Sequence, residues 1–131
     1  MRVRSGVVII ESHAVVLIKR MREGQVYYVF PGGGVEKEET PKEAAKREAY
    51  EELGLEVEVG ELLKKVEFNG LQFYFQAKIV AGTFGTGAGE EYRNERNRGT
   101  YEPVWLPLSQ LGSVDIRPKE LGEELMKRIT D

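Results

Sequence analysis

The sequence predicts a mixed α/β sandwich, and three observations carry that prediction. Short runs rich in β-branched residues are broken by turn residues in the first thirty positions and again in the middle of the chain. One segment between them has complete helix start and stop signals, and a second segment near the end recurs at helical spacing. No internal repeat or linker divides the sequence, so residues 1–131 read as one domain.

Residues 3–10 and 14–19 are separated by Glu11-Ser12-His13 and read as two strands of a hairpin. Residues 26–30 form a third strand, stopped by Pro31 and the glycines Gly32, Gly33 and Gly34. The clearest helix follows, over residues 41–53. Thr40 suits the N-cap, Pro41 suits a first helical position where its missing N–H costs nothing, and Glu43 completes a capping box. Gly54 is placed to end the helix in a left-handed conformation, after which residues 55–59 return to strand-like alternation.

Residues 62–68 and 71–80 flank Asn69-Gly70, a strong hairpin signal because both residues tolerate positive φ. In the second arm, alternation points Leu71, Phe73, Phe75, Ala77 and Ile79 to the core and Gln72, Tyr74, Gln76 and Lys78 to the other face. Residues 82–99 carry five glycines and mixed charges, a long loop of the kind that marks function or mobility. Residues 101–106 form a short strand, and Leu121, Leu125 and Ile129, with Met126 alongside, predict a closing amphipathic helix.

Composition narrows the function classes. Hydrophobic residues make up 40% and charged residues 31%, enough apolar material for a core. The longest apolar stretches have four and five residues, far below the roughly 20 of a membrane helix. Met1-Arg2-Val3-Arg4 leads into no secretory signal, so the chain reads as soluble and cytoplasmic. With no cysteine, sulfur-based metal sites and disulfides are excluded, and any metal must be held mainly by oxygen. The net charge of −3 argues against a partner such as duplex nucleic acid. Residues 36–58 hold nine Glu against four cations, a local −5 that leaves the remainder at +2. Such concentrated acid is either a solvated helix face or a site for a hard cation.

Spacing weighs on that choice. On a helical wheel Glu48, Glu51 and Glu52 share an arc of about 100 degrees, with Ala44 in its middle leaving room beside the acids and Arg47 on one flank. Ala45, Ala49 and Leu53 form the neighbouring apolar face, which would pack on a sheet. Glu48 with Glu51 and with Glu52 repels by roughly 0.2–0.5 kcal/mol per pair, a penalty a cation would reverse. Mg²⁺ is the natural ion, since it sits on one or two carboxylates and completes its shell with water and substrate phosphate.

Gly33, Glu39 and the run Arg47-Glu48-Ala49-Tyr50-Glu51-Glu52-Leu53-Gly54-Leu55, at these spacings, resemble the signature of the Nudix (MutT-like) hydrolases over residues 33–55. The resemblance implies the family's α/β/α sandwich with a mixed sheet, a catalytic loop-helix and a C-terminal helix. It also implies a Mg²⁺-dependent hydrolase, with Mn²⁺ as a substitute ion. The reaction would cleave a pyrophosphate bond in a nucleoside diphosphate joined to another group. By similarity Glu48, Glu51 and Glu52 would be metal ligands, with the Gly32 carbonyl as a further one. Glu48 would be a base, Arg47 would orient it, and Glu39 would steady the loop or join the metal cluster. Members differ in the acid used as base, and Glu90 and Glu91 in the long loop are the alternatives.

Arg93, Arg96 and Arg98 could reach substrate phosphates from that loop, or be only solvating charges. Tyr28, Phe30, Tyr74 and Tyr101 are candidates for stacking on a base, or core residues. His13, in a turn, is assigned no role. A non-catalytic nucleotide-binding module on the same fold is the alternative function, since fold alone never fixes function. Within the family, the proline that often follows the signature in ADP-ribose hydrolases is absent, and Tyr74 lies a residue beyond the tyrosine window of dinucleoside polyphosphate hydrolases. Neither the NADH-cleaving motif nor a coenzyme A signature is present, which leaves a nucleoside triphosphate as the favoured small-molecule substrate. Edge strands and the Phe-rich hairpin leave room for a homodimer.

Overall fold

The computed structural model describes residues 2–86 and 99–130. In chain order the elements are β1 (Val3–Val8), β2 (Ile10–Glu11), β3 (Ala14–Arg22), β4 (Gln25–Val29), β5 (Gly32–Gly34), α1 (Pro41–Leu53), β6 (Leu55–Glu67), β7 (Leu71–Gly82), β8 (Thr100–Pro107), β9 (Ile116–Arg117) and α2 (Lys119–Thr130). A 3₁₀ segment, Leu108–Ser113, joins β8 to β9. One sheet has the order β5-β1-β7-β6, and the other has β2-β3-β4-β9 with β8 also pairing β3.

The predicted hairpin of the first two strands is corrected. Only Ile10 and Glu11 pair back onto Val15 and Ala14, around Ser12 and His13 at φ 49° and 62°. Residues Val3–Val8 instead join the other sheet, parallel to β7 and antiparallel to β5. The chain crosses between sheets at Ile9, whose carbonyl still accepts from the Val16 N–H at 3.0 Å. The three glycines expected only to stop a strand are themselves β5, paired antiparallel to β1.

Each helix covers its own hydrophobic cluster. Alternate residues of β1 and β3 split between them: Val7, Val16 and Ile18 lie in the cluster with Ala45, Ala49 and Leu53 of α1. Val8, Val15 and Leu17 lie in the cluster with Leu121 and Leu125 of α2. Neighbouring strand residues point to opposite faces, so the strands form the middle layer and the helices the outer two. Each fully buried Leu, Ile or Val contributes about 1.5–3 kcal/mol, and twelve such large side chains are less than 2% exposed.

Tyr74 was expected on the polar face of the β6/β7 hairpin, and this too is corrected: it is 7% exposed, within the α2-side cluster. β7 is covered on both faces, with Phe75 and Ala77 in the α1-side cluster and Tyr74 in the α2-side one, so the one-sided alternation rule does not apply. The Asn69-Gly70 turn has φ of 53° and 122°, as its sequence requires. Ile129, expected in the apolar stripe of α2, is 38% exposed at the last turn. Among the described residues no helix is long and apolar enough to cross a membrane.

Candidate active site

The site is built where α1 meets β5. Thr40 Oγ1 accepts from the Glu43 N–H at 3.1 Å while Glu43 Oε1 accepts from the Thr40 N–H at 2.8 Å, closing the capping box. At the other end Gly54 adopts φ 76° and ψ 17° and donates to the Tyr50 carbonyl at 2.9 Å. Ser5 Oγ on β1 donates to the Pro41 carbonyl at 2.5 Å and ties the helix start to the sheet. With both ends fixed, Ala45, Ala49 and Leu53 turn fully inward. Ala44 is fully buried as well, so its small side chain serves close packing and not the open space expected beside the acids.

The next face meets the glycines. Glu48 and Glu52, one turn apart, are only 7% and 3% exposed. Gly32 donates its N–H to Glu52 Oε1 at 2.5 Å, which satisfies a buried carboxylate with a backbone donor. The Gly32 carbonyl, expected as a metal ligand, accepts from Arg4 Nη2 at 3.4 Å. Gly33 lies against Glu48 so closely that an added Cβ would come within 2.7 Å of Oε1. The backbone of Gly33 carries no positive φ, so Gly33→Ala is expected to fold normally while pushing the Glu48 carboxylate aside. A melting temperature near wild type, with turnover reduced about tenfold or more, is the expected outcome.

Arg47 organises the acids. Its Nε and Nη2 donate to Glu39 Oε2 and Oε1 at 2.7 and 2.9 Å, a bidentate pair, and Nη2 also donates to the Gly34 carbonyl at 2.9 Å. Nη1 reaches Glu48 Oε1 at 2.8 Å and Glu51 Oε2 at 3.2 Å, and Glu36, which the sequence reading did not single out, lies 3.5 Å from Nε. The hydrogen bonds from Arg47 hold the Glu39 carboxyl below its ordinary value, and Glu39 in return holds Arg47 firmly protonated. Glu39 Oε1 also accepts from the Glu36 N–H at 2.9 Å, which links the loop before α1 to Arg47 through Glu39. Among the described residues no three carboxylates or imidazoles stand close enough together to hold an ion, because Glu51 is drawn to Arg47 and Glu52 to Gly32. The chemistry of the set, buried carboxylates on successive turns with no softer donor, fits a hard divalent cation.

Beside Glu52 opens a cleft of about 670 Å³ between the two sheets. Arg4, Gln72 and Tyr74 form one wall, Arg20, Phe30 and Tyr101 the other, and Phe68 and Arg117 also border it. Phe30 and Tyr74 meet edge to face at 5.9 Å. Burial pushes the Tyr74 hydroxyl up to about 12, so at neutral pH it stays protonated and donates to Gln72 Oε1 at 2.7 Å. Of the four aromatic residues offered for stacking on a base, Phe30, Tyr74 and Tyr101 border this cleft, but Tyr28 does not. It packs against the α2-side cluster, because Tyr27 and Tyr28 point to opposite faces of β4. Glu90, Glu91, Arg93, Arg96 and Arg98 lie outside the described residues. Arg2, just before β1, and the strand arginines Arg4 and Arg20 escaped the sequence reading, although Arg20 follows the apolar run of β3, where a charge asks for a reason.

The NUDIX domain family model matches residues 1–129. An RNA pyrophosphohydrolase of Photobacterium profundum is 50% identical over 50 residues, 38% of this chain and 28% of that protein. One from Psychromonas ingrahamii is 45% identical over 58 residues, 44% of this chain and 32% of that protein. The chain therefore matches less than a third of the length of either relative. A NUDIX hydrolase from Nitrosomonas europaea has the same fold at a TM-score of 0.75 and 19% identity, covering 98% of this chain and 88% of that one. An ADP-ribose pyrophosphatase from Streptococcus suis aligns at 0.67 and 18%, over 95% and 87%. The glycine strand, the capped acidic helix and the match along nearly the whole sequence have one meaning: this chain belongs to the NUDIX domain family.

Proposed function

We propose that the chain is a divalent-cation-dependent hydrolase, a single catalytic domain that cleaves a pyrophosphate bond in a nucleoside diphosphate joined to another group. The observation that carries the reading is the pair of buried carboxylates, Glu48 and Glu52, with Glu52 facing a cleft rich in arginine. Buried acids are rare without a partner or a task. In this reading Glu48, Glu51 and Glu52, with the Gly32 carbonyl, hold Mg²⁺ or Mn²⁺, which when bound neutralises charge on the phosphoryl oxygens. Arg47 fixes the Glu48 carboxylate, which serves as the base that takes a proton from the attacking water, and Glu39 fixes Arg47. Phosphorus in a pyrophosphate is shielded by negative oxygens, so alignment and charge compensation matter more than a covalent nucleophile.

The substrate class we favour is a nucleoside 5′-triphosphate, free or at the end of an RNA. The names of the curated relatives support the second form. Phosphate, pyrophosphate and nucleotide release would be measured across nucleoside triphosphates, 5′-triphosphorylated RNA, ADP-ribose and dinucleoside polyphosphates. Turnover with Mg²⁺ is expected to fall about a hundredfold or more with chelator. Metal-independent turnover, or nucleotide binding without any turnover, would reject the hydrolase reading.

A further inference from the structure

Of the large apolar side chains that stand exposed among the described residues, Phe68 at 67% is the most exposed, and it alone borders the cleft beside Glu52. A single exposed apolar residue is ordinary, so its place decides whether it has a task. The sequence reading offered other rings for stacking on a base, but those at the cleft are already engaged. Phe30 and Tyr74 are buried and meet edge to face, and the Tyr101 ring carries the Arg20 guanidinium 3.7 Å from its centre. Phe68 belongs to neither hydrophobic cluster.

The register sets Phe68 at the far end of a row that begins at the acids. Gly32, whose N–H donates to Glu52, stands opposite Gly6 of β1, and Gly6 is in register with Tyr74 of β7. Two residues along the strands, Arg4, Gln72 and Val66 are in register and share the face that borders the cleft. Two residues further come Arg2 and Phe68, roughly 13 Å from the Tyr74 row. The turn holds the ring at that place. The Phe68 N–H donates to the Gly70 carbonyl at 3.1 Å, and the Leu71 N–H donates to the Arg2 carbonyl at 2.9 Å. Gly70, opposite Phe68, has φ 122°, and a Cβ there would strike the Arg2 carbonyl, so the turn requires a residue with no side chain to cover the ring.

We propose that Phe68 is the platform on which the base of the nucleotide stacks, with the sugar and phosphates running past Arg4 toward Glu52. An aromatic ring stacks on any base through its π face, and one such contact is worth about tenfold or more in affinity. The assignment of ends rests on the hydrolase reading, but the platform is tested by binding alone. Calorimetry with Mg²⁺ would compare ribonucleoside 5′-monophosphates, which hold no pyrophosphate bond to cleave, with ribose 5-phosphate, which lacks the base. Phe68→Leu keeps an apolar side chain and removes the ring, whereas Phe68→Trp enlarges it. At so exposed a position both variants should melt within about 3 °C of wild type.

Wild type is expected to bind the nucleotides about tenfold or more tighter than ribose 5-phosphate, Phe68→Leu to bring that ratio close to one, and Phe68→Trp to keep or raise it. In turnover of a nucleoside triphosphate, the larger part of the loss in Phe68→Leu should fall on KM and not on kcat. Equal binding of nucleotides and ribose 5-phosphate by wild type, or a preference that survives Phe68→Leu, overturns the platform. So does a changed oligomeric state in Phe68→Leu with nucleotide binding unaltered, which would give the ring to a second copy of the chain. A nucleotide preference that depends on Phe68, in a chain that hydrolyses no pyrophosphate bond, would reject the proposed function and leave the platform standing.

Discussion

Glu52→Gln is expected to remove most metal-dependent turnover while leaving the fold in place. Glu52 is buried and its Oε1 accepts from the Gly32 N–H at 2.5 Å, a bond that a glutamine oxygen can also accept. Side-chain volume is conserved, so the melting temperature should stay within about 3 °C of wild type. What disappears is the negative charge. Altering a group that merely supports a metal ligand typically costs about 10–100-fold, so loss of a ligand's charge should cost at least about a hundredfold in kcat. Initial rates across a Mg²⁺ titration, beside a thermal melt, check both halves. Rates near wild type at every Mg²⁺ concentration would take Glu52 out of the ligand set.

Arg47→Ala is expected to have the largest effect on stability of any substitution at the site. Its guanidinium compensates Glu48 and Glu39, whose side chains are 9% and 15% exposed, and to a smaller degree Glu51 and Glu36, which water already screens. Stranding two largely buried carboxylates should cost about 2–4 kcal/mol, below the full cost for a wholly buried pair because Arg47 is itself partly exposed. The melting temperature should fall by roughly 5–15 °C. Mg²⁺ should raise that of the variant more than that of wild type, since an ion then replaces part of the lost positive charge. Acid titration adds a signature. The Glu39 carboxyl is held below its ordinary 4.5, so its share of stability is present above that value and is lost as pH falls through the lowered one. The variant should lack that part of the acid-dependent loss. A change below about 1 kcal/mol in Arg47→Ala would reduce the network to surface pairing.

Local chemistry was legible in the sequence. Thr40, Pro41, Glu43 and Gly54 mark both ends of α1 because each acts within a few residues of itself, and Asn69-Gly70 fixes its own turn. The arc of Glu48, Glu51 and Glu52 follows from helical period alone. Partnerships across the chain were not legible. β1 pairs with β7, where Val3 meets Leu71, and no periodicity in residues 3–8 distinguishes that partner from the nearer β3. The same ignorance of neighbours put Tyr74 on the wrong face and offered Tyr28, which packs on the α2-side cluster, to the cleft. Arg20 reads as an ordinary strand-end charge until the register sets it between two tyrosines.

β5 is also an outer strand of its sheet, three glycines long, with no side chains to obstruct another chain. An outer strand left open is a template for further strand pairing and so for aggregation, but Gly32 and Gly33 are buried and only Gly34 is exposed. Two of its groups are also engaged from within: the Gly32 N–H by Glu52, the Gly34 carbonyl by Arg47. Glu52 and Arg47, the side chains proposed for the chemistry, therefore also occupy backbone groups of an outer strand, and truncating either one is expected to free such a group as well as to alter the site. In the proposed reading the cover of a sheet edge and the chemistry fall on the same two residues, which narrows what can replace them more than either demand would alone.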